Sequence, residues 1–143
     1  MPTYTGTTIG ETLPGSAGAD TLIGGDGADT LDGRAGADAL YGGDGNDLYI
    51  VGAEDSVTEA ANGGTDMVRA YASYAMDAFV ENLMIYAASG LRIEGNGLAN
   101  QIGGGAGADT LLGAGGNDTI AASDGQDSIA GGAGDDILNA GAG

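Results

Sequence analysis

Residues Gly24–Ile50 read GGDGADTLD, GRAGADALY and GGDGNDLYI, three nine-residue units in direct succession. The shared pattern is G-G-x-G-x-D-x-U-x, with U a large apolar residue. Stepping by nine from Gly15 gives four units: Gly15–Ile23, Gly24–Asp32, Gly33–Tyr41 and Gly42–Ile50. Their sixth position is Asp20, Asp29, Asp38 and Asp47, and their eighth is Leu22, Leu31, Leu40 and Tyr49. One step back lies a worn unit with Glu11 and Leu13 in those slots. A second block runs from Gly95 through five units to Asn139. There the sixth position is Asn100, Asp109, Asp118, Asp127 and Asp136, and the eighth is Ile102, Leu111, Ile120, Ile129 and Leu138.

This pattern predicts local structure. Glycine allows positive φ and close backbone approach, so the first four positions form a tight turn. The sixth-position acid closes the turn. Positions 7–9 form a short strand whose alternation sends position 8 inward. Two units then make one coil of 18 residues: strand, turn, strand, turn. The predicted fold is all-β, a parallel β-roll in the form of a two-sheet right-handed β-helix. Each turn stacks on the turn two units earlier. The stacked side chains are Glu11 with Asp29, Asp20 with Asp38, Asp29 with Asp47, Asn100 with Asp118, Asp109 with Asp127, and Asp118 with Asp136.

Charge points to what such a stack needs. Twenty-one acidic residues face three arginines and no lysine, a formal charge of −18 over 143 residues. That surface repels nucleic acid and anionic lipid, and it repels itself. Without histidine or cysteine the chain lacks the usual ligands of zinc, haem and iron–sulfur centres, the nucleophile–base pairs of Ser–His or Cys–His enzymes, and disulfides. No apolar run has the length of a transmembrane helix, and the first ten residues do not resemble a cleavable signal peptide.

Each cleft between stacked turns offers two side-chain oxygens and several carbonyls. A hard cation taking six to eight oxygens is Ca²⁺, whereas Mg²⁺ keeps waters and a strict octahedron. The candidate ligands are Asp20, Asp29, Asp38, Asp47, Asp109, Asp118, Asp127 and Asp136, with Asn100 and Glu11 at worn positions. Backbone carbonyls are expected from Gly24, Gly25, Gly27, Gly33, Gly36, Gly42, Gly43 and Gly45 in the first block. The second block offers Gly104, Gly105, Gly107, Gly113, Gly116, Gly131, Gly132 and Gly134. Ligand geometry of this kind suggests roughly five to eight ions. Metal binding then supplies folding free energy that a core of one large side chain per unit does not.

These units resemble the RTX (repeats-in-toxin) hemolysin-type nonapeptides. The resemblance implies a Ca²⁺-loaded parallel β-roll. It also implies export by a type I pathway as an unfolded chain that folds in extracellular calcium, and hence a secreted or cell-surface location. GGTDMVRA (Gly63–Ala70) and VENLMI (Val80–Ile85) resemble segments found between such blocks.

Residues 51–94 interrupt the array. Strands are expected at Ser56–Thr58, Met67–Ala70, Leu83–Tyr86 and Leu91–Glu94, with a turn at Asn62–Asp66. Asp47 to Asp66 spans about one coil, so wider, irregular coils should continue the roll; a helix through Tyr71–Phe79 is the weaker reading. Met67, Met76, Met84, Tyr71, Tyr74, Phe79 and Tyr86 are read as core. The chain is read as one domain, 1–143, with a repeat block at 6–50, irregular coils at 51–94 and a second block at 95–143.

The expected function is a calcium-binding module for secretion and folding of an exported bacterial protein, with no catalysis of its own. Two alternatives are a cell-surface, adhesin or matrix component that self-associates through open roll ends, and an accessory module of a secreted enzyme.

Overall fold

Strand alternation and the 18-residue coil determine the architecture of the computed structural model, which describes residues 1–143. Sixteen strands in eight coils account for all regular structure. The first block forms β1 (Thr3–Thr5), β2 (Thr12–Pro14), β3 (Thr21–Asp26), β4 (Thr30–Asp32), β5 (Ala39–Asp44) and β6 (Leu48–Val51). The centre forms β7 (Ser56–Thr58), β8 (Met67–Ala70), β9 (Tyr74–Ala75), β10 (Asn82–Ile85) and β11 (Arg92–Glu94). The second block forms β12 (Gln101–Gly103), β13 (Thr110–Gly115), β14 (Thr119–Ala121), β15 (Ser128–Ala133) and β16 (Ile137–Asn139).

Odd strands lie on one face and even strands on the other, all paired in parallel. The even strands form one eight-stranded sheet from β2 to β16. The odd face is split into two four-stranded sheets, β1-β3-β5-β7 and β9-β11-β13-β15. The expected two-sheet roll is therefore interrupted on one side. At the break β9 shrinks to two residues, and its inward position holds Tyr74, paired with Ile93. A phenol with a polar tip replaces an aliphatic side chain there, and its hydroxyl bonds Asp77 Oδ2 at 2.8 Å.

Register stacks like on like. Leu13, Leu31, Tyr49, Val68, Leu83, Ile102, Ile120 and Leu138 form one inward column. Tyr4, Leu22, Leu40 and Val57 form the facing one, and Tyr74, Ile93, Leu111 and Ile129 continue it beyond the break. Where these columns meet they make a single thin core in which most members are fully buried. Full burial of such a side chain contributes about 1.5–3 kcal/mol.

The central strands fall close to expectation, with two shifts: β10 begins at Asn82, and β11 at Arg92. The segment from Tyr71 to Phe79 holds β9 and turns in place of a helix. The methionines and aromatics there are not core as a group. Met76 is buried and Tyr74 half-buried, while Tyr71, Phe79, Met84 and Tyr86 are exposed. Alternation explains this: Leu83 and Ile85 take the inward places of β10, so Met84 and Tyr86 face out. Outside, Arg69 stacks on Tyr86, 5.1 Å from the ring centroid, and Tyr71 lies beside the same ring.

Candidate metal centres

The residue before each short strand sits where a turn enters the coil, and there most sixth-position Asp residues are buried, with Asp127 and Asp136 half-buried. Asp20, Asp29, Asp38, Asp47, Asp109 and Asp118 are each no more than 2% exposed. One carboxylate oxygen has a backbone role. Asp29 Oδ1 accepts the Glu11 N–H at 2.7 Å, Asp38 Oδ1 that of Asp20 at 2.7 Å, and Asp47 Oδ1 that of Asp29 at 2.7 Å. In the second block Asp118 Oδ1 accepts from Asn100, Asp127 Oδ1 from Asp109, and Asp136 Oδ1 from Asp118, at 2.8–2.9 Å. All six expected pairs are thus stacked, 18 residues apart.

The other oxygen has no partner. Asp29, Asp38, Asp47, Asp118 and Asp127 each leave a buried Oδ2 without a hydrogen bond. Asp20 instead leaves Oδ1 free; the residue 18 positions earlier is Pro2, which has no N–H to give. An unpaired buried carboxylate is costly unless a cation meets it, and the protein supplies none. Its one ion pair, Arg92–Glu94, is exposed. Desolvation by burial, followed by nearby carboxylates, raises the acids of Asp38 and Asp47 above their ordinary range, although the Asp20 and Asp29 N–H groups offset part of it.

The free oxygens of Asp29 and Asp118 face carbonyls. A β-carbon built on Gly24 would lie 2.5 Å from Asp29 Oδ2 and 2.5 Å from the Gly42 carbonyl oxygen. Glycine at position 1 is therefore required by space: a carboxylate and a carbonyl from the next coil converge where a side chain would begin. Gly113 repeats this with Asp118 Oδ2 and the Gly131 carbonyl. At Gly15 the oxygen beside the Gly33 carbonyl is Asp20 Oδ2, which already accepts the Ser16 N–H. Position 4 has a different demand, positive φ, met by Gly27, Gly36, Gly45, Gly107, Gly116 and Gly134. Hard oxygens converging without a counter-charge fit Ca²⁺. The ion would neutralise the carboxylates and bridge successive coils.

Two worn positions differ. Asn100 has no free oxygen: Oδ1 accepts the Asn96 N–H at 2.9 Å, and Nδ2 reaches the Val80 and Glu81 carbonyls. It crosslinks coils as a neutral amide. Glu11 binds Thr7 with both oxygens. At the last coil Asp136 is half-buried and Leu138 is 48% exposed.

The central coils add acids absent from the expected ligands. Asp38 N–H donates to Asp55 Oδ1, Asp47 N–H to Asp66 Oδ1, and Asp66 N–H to Glu81 Oε2, at 2.8–3.0 Å. Coil lengths of 17, 19 and 15 residues hide them from a period of nine. A signal was present nonetheless. Each acid stands two residues before an inward apolar side chain, in Asp55-Ser56-Val57, Asp66-Met67-Val68 and Glu81-Asn82-Leu83. Glu59, 9% exposed, joins Asp47 and Asp66. Burial, then Asp66, Asp47 and Glu81, push the Glu59 acid up to about 8. Burial, then Asp47 and Glu81, push Asp66 to about 6, against the opposing Asp47 N–H.

A search of curated proteins gave no match. The family model of the RTX calcium-binding nonapeptide repeat, in four copies, matches residues 14–49, 94–129 and 112–143, more than half of the chain. Repeat, roll and stacked aspartates agree with it, and the chain belongs to the RTX hemolysin-type calcium-binding repeat family.

Proposed function

We propose that this calcium-binding repeat module folds when it meets millimolar calcium outside the cell, and serves as the folding and structural part of an exported protein. The supporting observation is the row of buried, unpartnered carboxylate oxygens, those of Asp29 and Asp118 facing carbonyls, with no protein cation near them. In low cytosolic calcium their mutual repulsion opposes coil stacking and keeps the chain unfolded for export. Outside, ions held by Asp20, Asp29, Asp38, Asp47, Asp109, Asp118 and Asp127, with position-1 carbonyls, close the stack as one folding unit. Binding free energy is then folding free energy. The proposal assigns no catalysis, because the stacked carboxylates are tied into the backbone ladder. Circular dichroism in EGTA, followed by added calcium, should show a coil-to-β transition; an unchanged β spectrum in EGTA would reject the proposal.

In a second reading the roll is an assembling surface of an adhesin or matrix protein. It is favoured by outward apolar side chains on the eight-stranded sheet, Leu48 beside Met67, and Ile50 and Met84 on either side of Arg69. Small-angle scattering over a concentration series in calcium decides it: growth in mass supports assembly, and a constant monomer rejects it. A role beside the catalytic unit of a secreted enzyme would place the chemistry on other residues.

A further inference from the structure

The junction between the first repeat block and the central coils departs from every other cleft. At Gly24 and Gly113 a stacked Asp offers one free oxygen opposite a carbonyl, and at Gly33 Asp38 Oδ2 meets only Asp55 Oδ2. Here three acids meet: Asp47, Glu59 and Asp66 place one carboxylate oxygen each within 4.8 Å of one another. Asp47 and Asp66 are 2% and 1% exposed, and each keeps a buried Oδ2 with no hydrogen-bond partner. Their Oδ1 atoms are committed to the Asp29 and Asp47 N–H groups, so the free oxygens are the ones left to the cluster. The surroundings turn more oxygens the same way. A β-carbon at Gly42 would meet Asp47 Oδ2, Glu59 Oε1 and the Tyr49 hydroxyl together. One at Gly63 would lie 2.7 Å from Glu59 Oε2 and 2.8 Å from the Gly43 carbonyl oxygen. Glu81 stands behind, its Oε2 accepting the Asp66 N–H at 2.9 Å. No arginine pairs with any of these acids.

We propose that Asp47, Glu59 and Asp66 form a separate three-carboxylate cation site, which takes a hard divalent ion more tightly than the two-turn clefts and locks the central coils onto the first block. Glu59 is the distinguishing residue. It belongs to no repeat and reaches the site from the loop after β7, and in the ladder clefts no third acid comes within reach. Affinity in oxygen sites rises with the number of charged ligands, so this site fills first as calcium rises. The inference rests on the calcium reading above but makes a narrower claim.

Tyr49 supplies a local reporter. The chain has no tryptophan, and the Tyr49 hydroxyl donates to Glu59 Oε1, so an ion held there lies beside a phenol. Terbium, an oxygen-seeking lanthanide that substitutes for calcium and luminesces when a nearby aromatic ring is excited, is titrated into the full chain. Bound ions are counted in parallel by equilibrium dialysis. The first equivalent should give tyrosine-sensitised emission. Tyr49→Phe should remove most of that emission. Glu59→Gln should weaken the first equivalent about tenfold or more, as expected from one less charged ligand. Full emission from Tyr49→Phe, or a first equivalent in Glu59→Gln bound as in the parent, would overturn the site while leaving calcium-dependent folding intact. Failure of the parent chain to take up any ion would overturn both. Should Glu59→Gln not fold in saturating calcium, the Tyr49→Phe emission decides alone.

Discussion

Asp118 performs two jobs that substitution can separate. Its Oδ1 accepts the Asn100 N–H at 2.8 Å, and its buried Oδ2 has no partner and faces the Gly131 carbonyl across Gly113. Asp118→Ala removes both oxygens. The orphaned Asn100 N–H, in a residue 2% exposed, then costs about 1–3 kcal/mol. The lost ion removes up to about 2.7 kcal/mol at a hundredfold excess of calcium over its dissociation constant. Together these predict destabilisation of about 4–6 kcal/mol in calcium. Asp118→Asn retains the Oδ1 acceptor and replaces the free oxygen by an NH₂ that can donate to the Gly131 carbonyl. It should lose only the ion contribution, about 2–3 kcal/mol, and should be no less ordered than the parent in EGTA, because one uncompensated buried charge is gone. Urea melts in saturating calcium and calcium titrations by circular dichroism give both quantities. Equal losses for Ala and Asn would refute the division of labour between the two oxygens; an Asn variant with the parent's calcium midpoint and stoichiometry would refute the ligand role.

Three further outcomes follow from the same geometry. Gly24→Ala places a methyl 2.5 Å from both Asp29 Oδ2 and the Gly42 carbonyl, so it should raise the calcium midpoint sharply, whereas Gly18→Ala, with nothing within 4 Å, should change it little; similar midpoints would contradict the cradle. Arg34 occupies a position-2 glycine slot at φ 66°, so Arg34→Gly should stabilise the calcium form by about 1 kcal/mol through release of left-handed strain, and a destabilised variant in urea melts would count against it. Glu59 and Asp66 have folded acids raised to about 8 and about 6 from ordinary values of 4.5 and 3.8. The folded metal-free chain therefore binds more protons than the unfolded one. The two groups oppose metal-free folding most fully above about pH 8, and the opposition fades as pH falls through both values toward the ordinary carboxylate range. In EGTA, β-structure should therefore rise on acidification, with the calcium midpoint rising as protons compete; Glu59→Gln should flatten the steeper, upper part of the response, and an opposite slope would refute the assignment.

The repeat by itself determined the coil, the inward column of position-8 side chains and the pairing of acids 18 residues apart. Each is a local consequence of period nine: glycines permit the turn, alternation buries one residue in three, and two turns return the chain above itself. Tertiary structure decided what period could not reach. Asp55, Asp66 and Glu81 enter the acid ladder because parallel strand pairing holds Val57, Val68 and Leu83 in the inward columns, whatever the loop length between them. Tyr71, Met84 and Tyr86 face solvent because Val68 and Ala70 of β8 and Leu83 and Ile85 of β10 hold the inward places; composition pointed the other way. Stacking also decided that Asn100 has no free oxygen, that Pro2 leaves one on Asp20, and that Glu59 meets Asp47 and Asp66. Hydrogen-bond satisfaction is a property of neighbours in space, and an irregular loop closing onto a regular stack sets those neighbours only after the coils have docked.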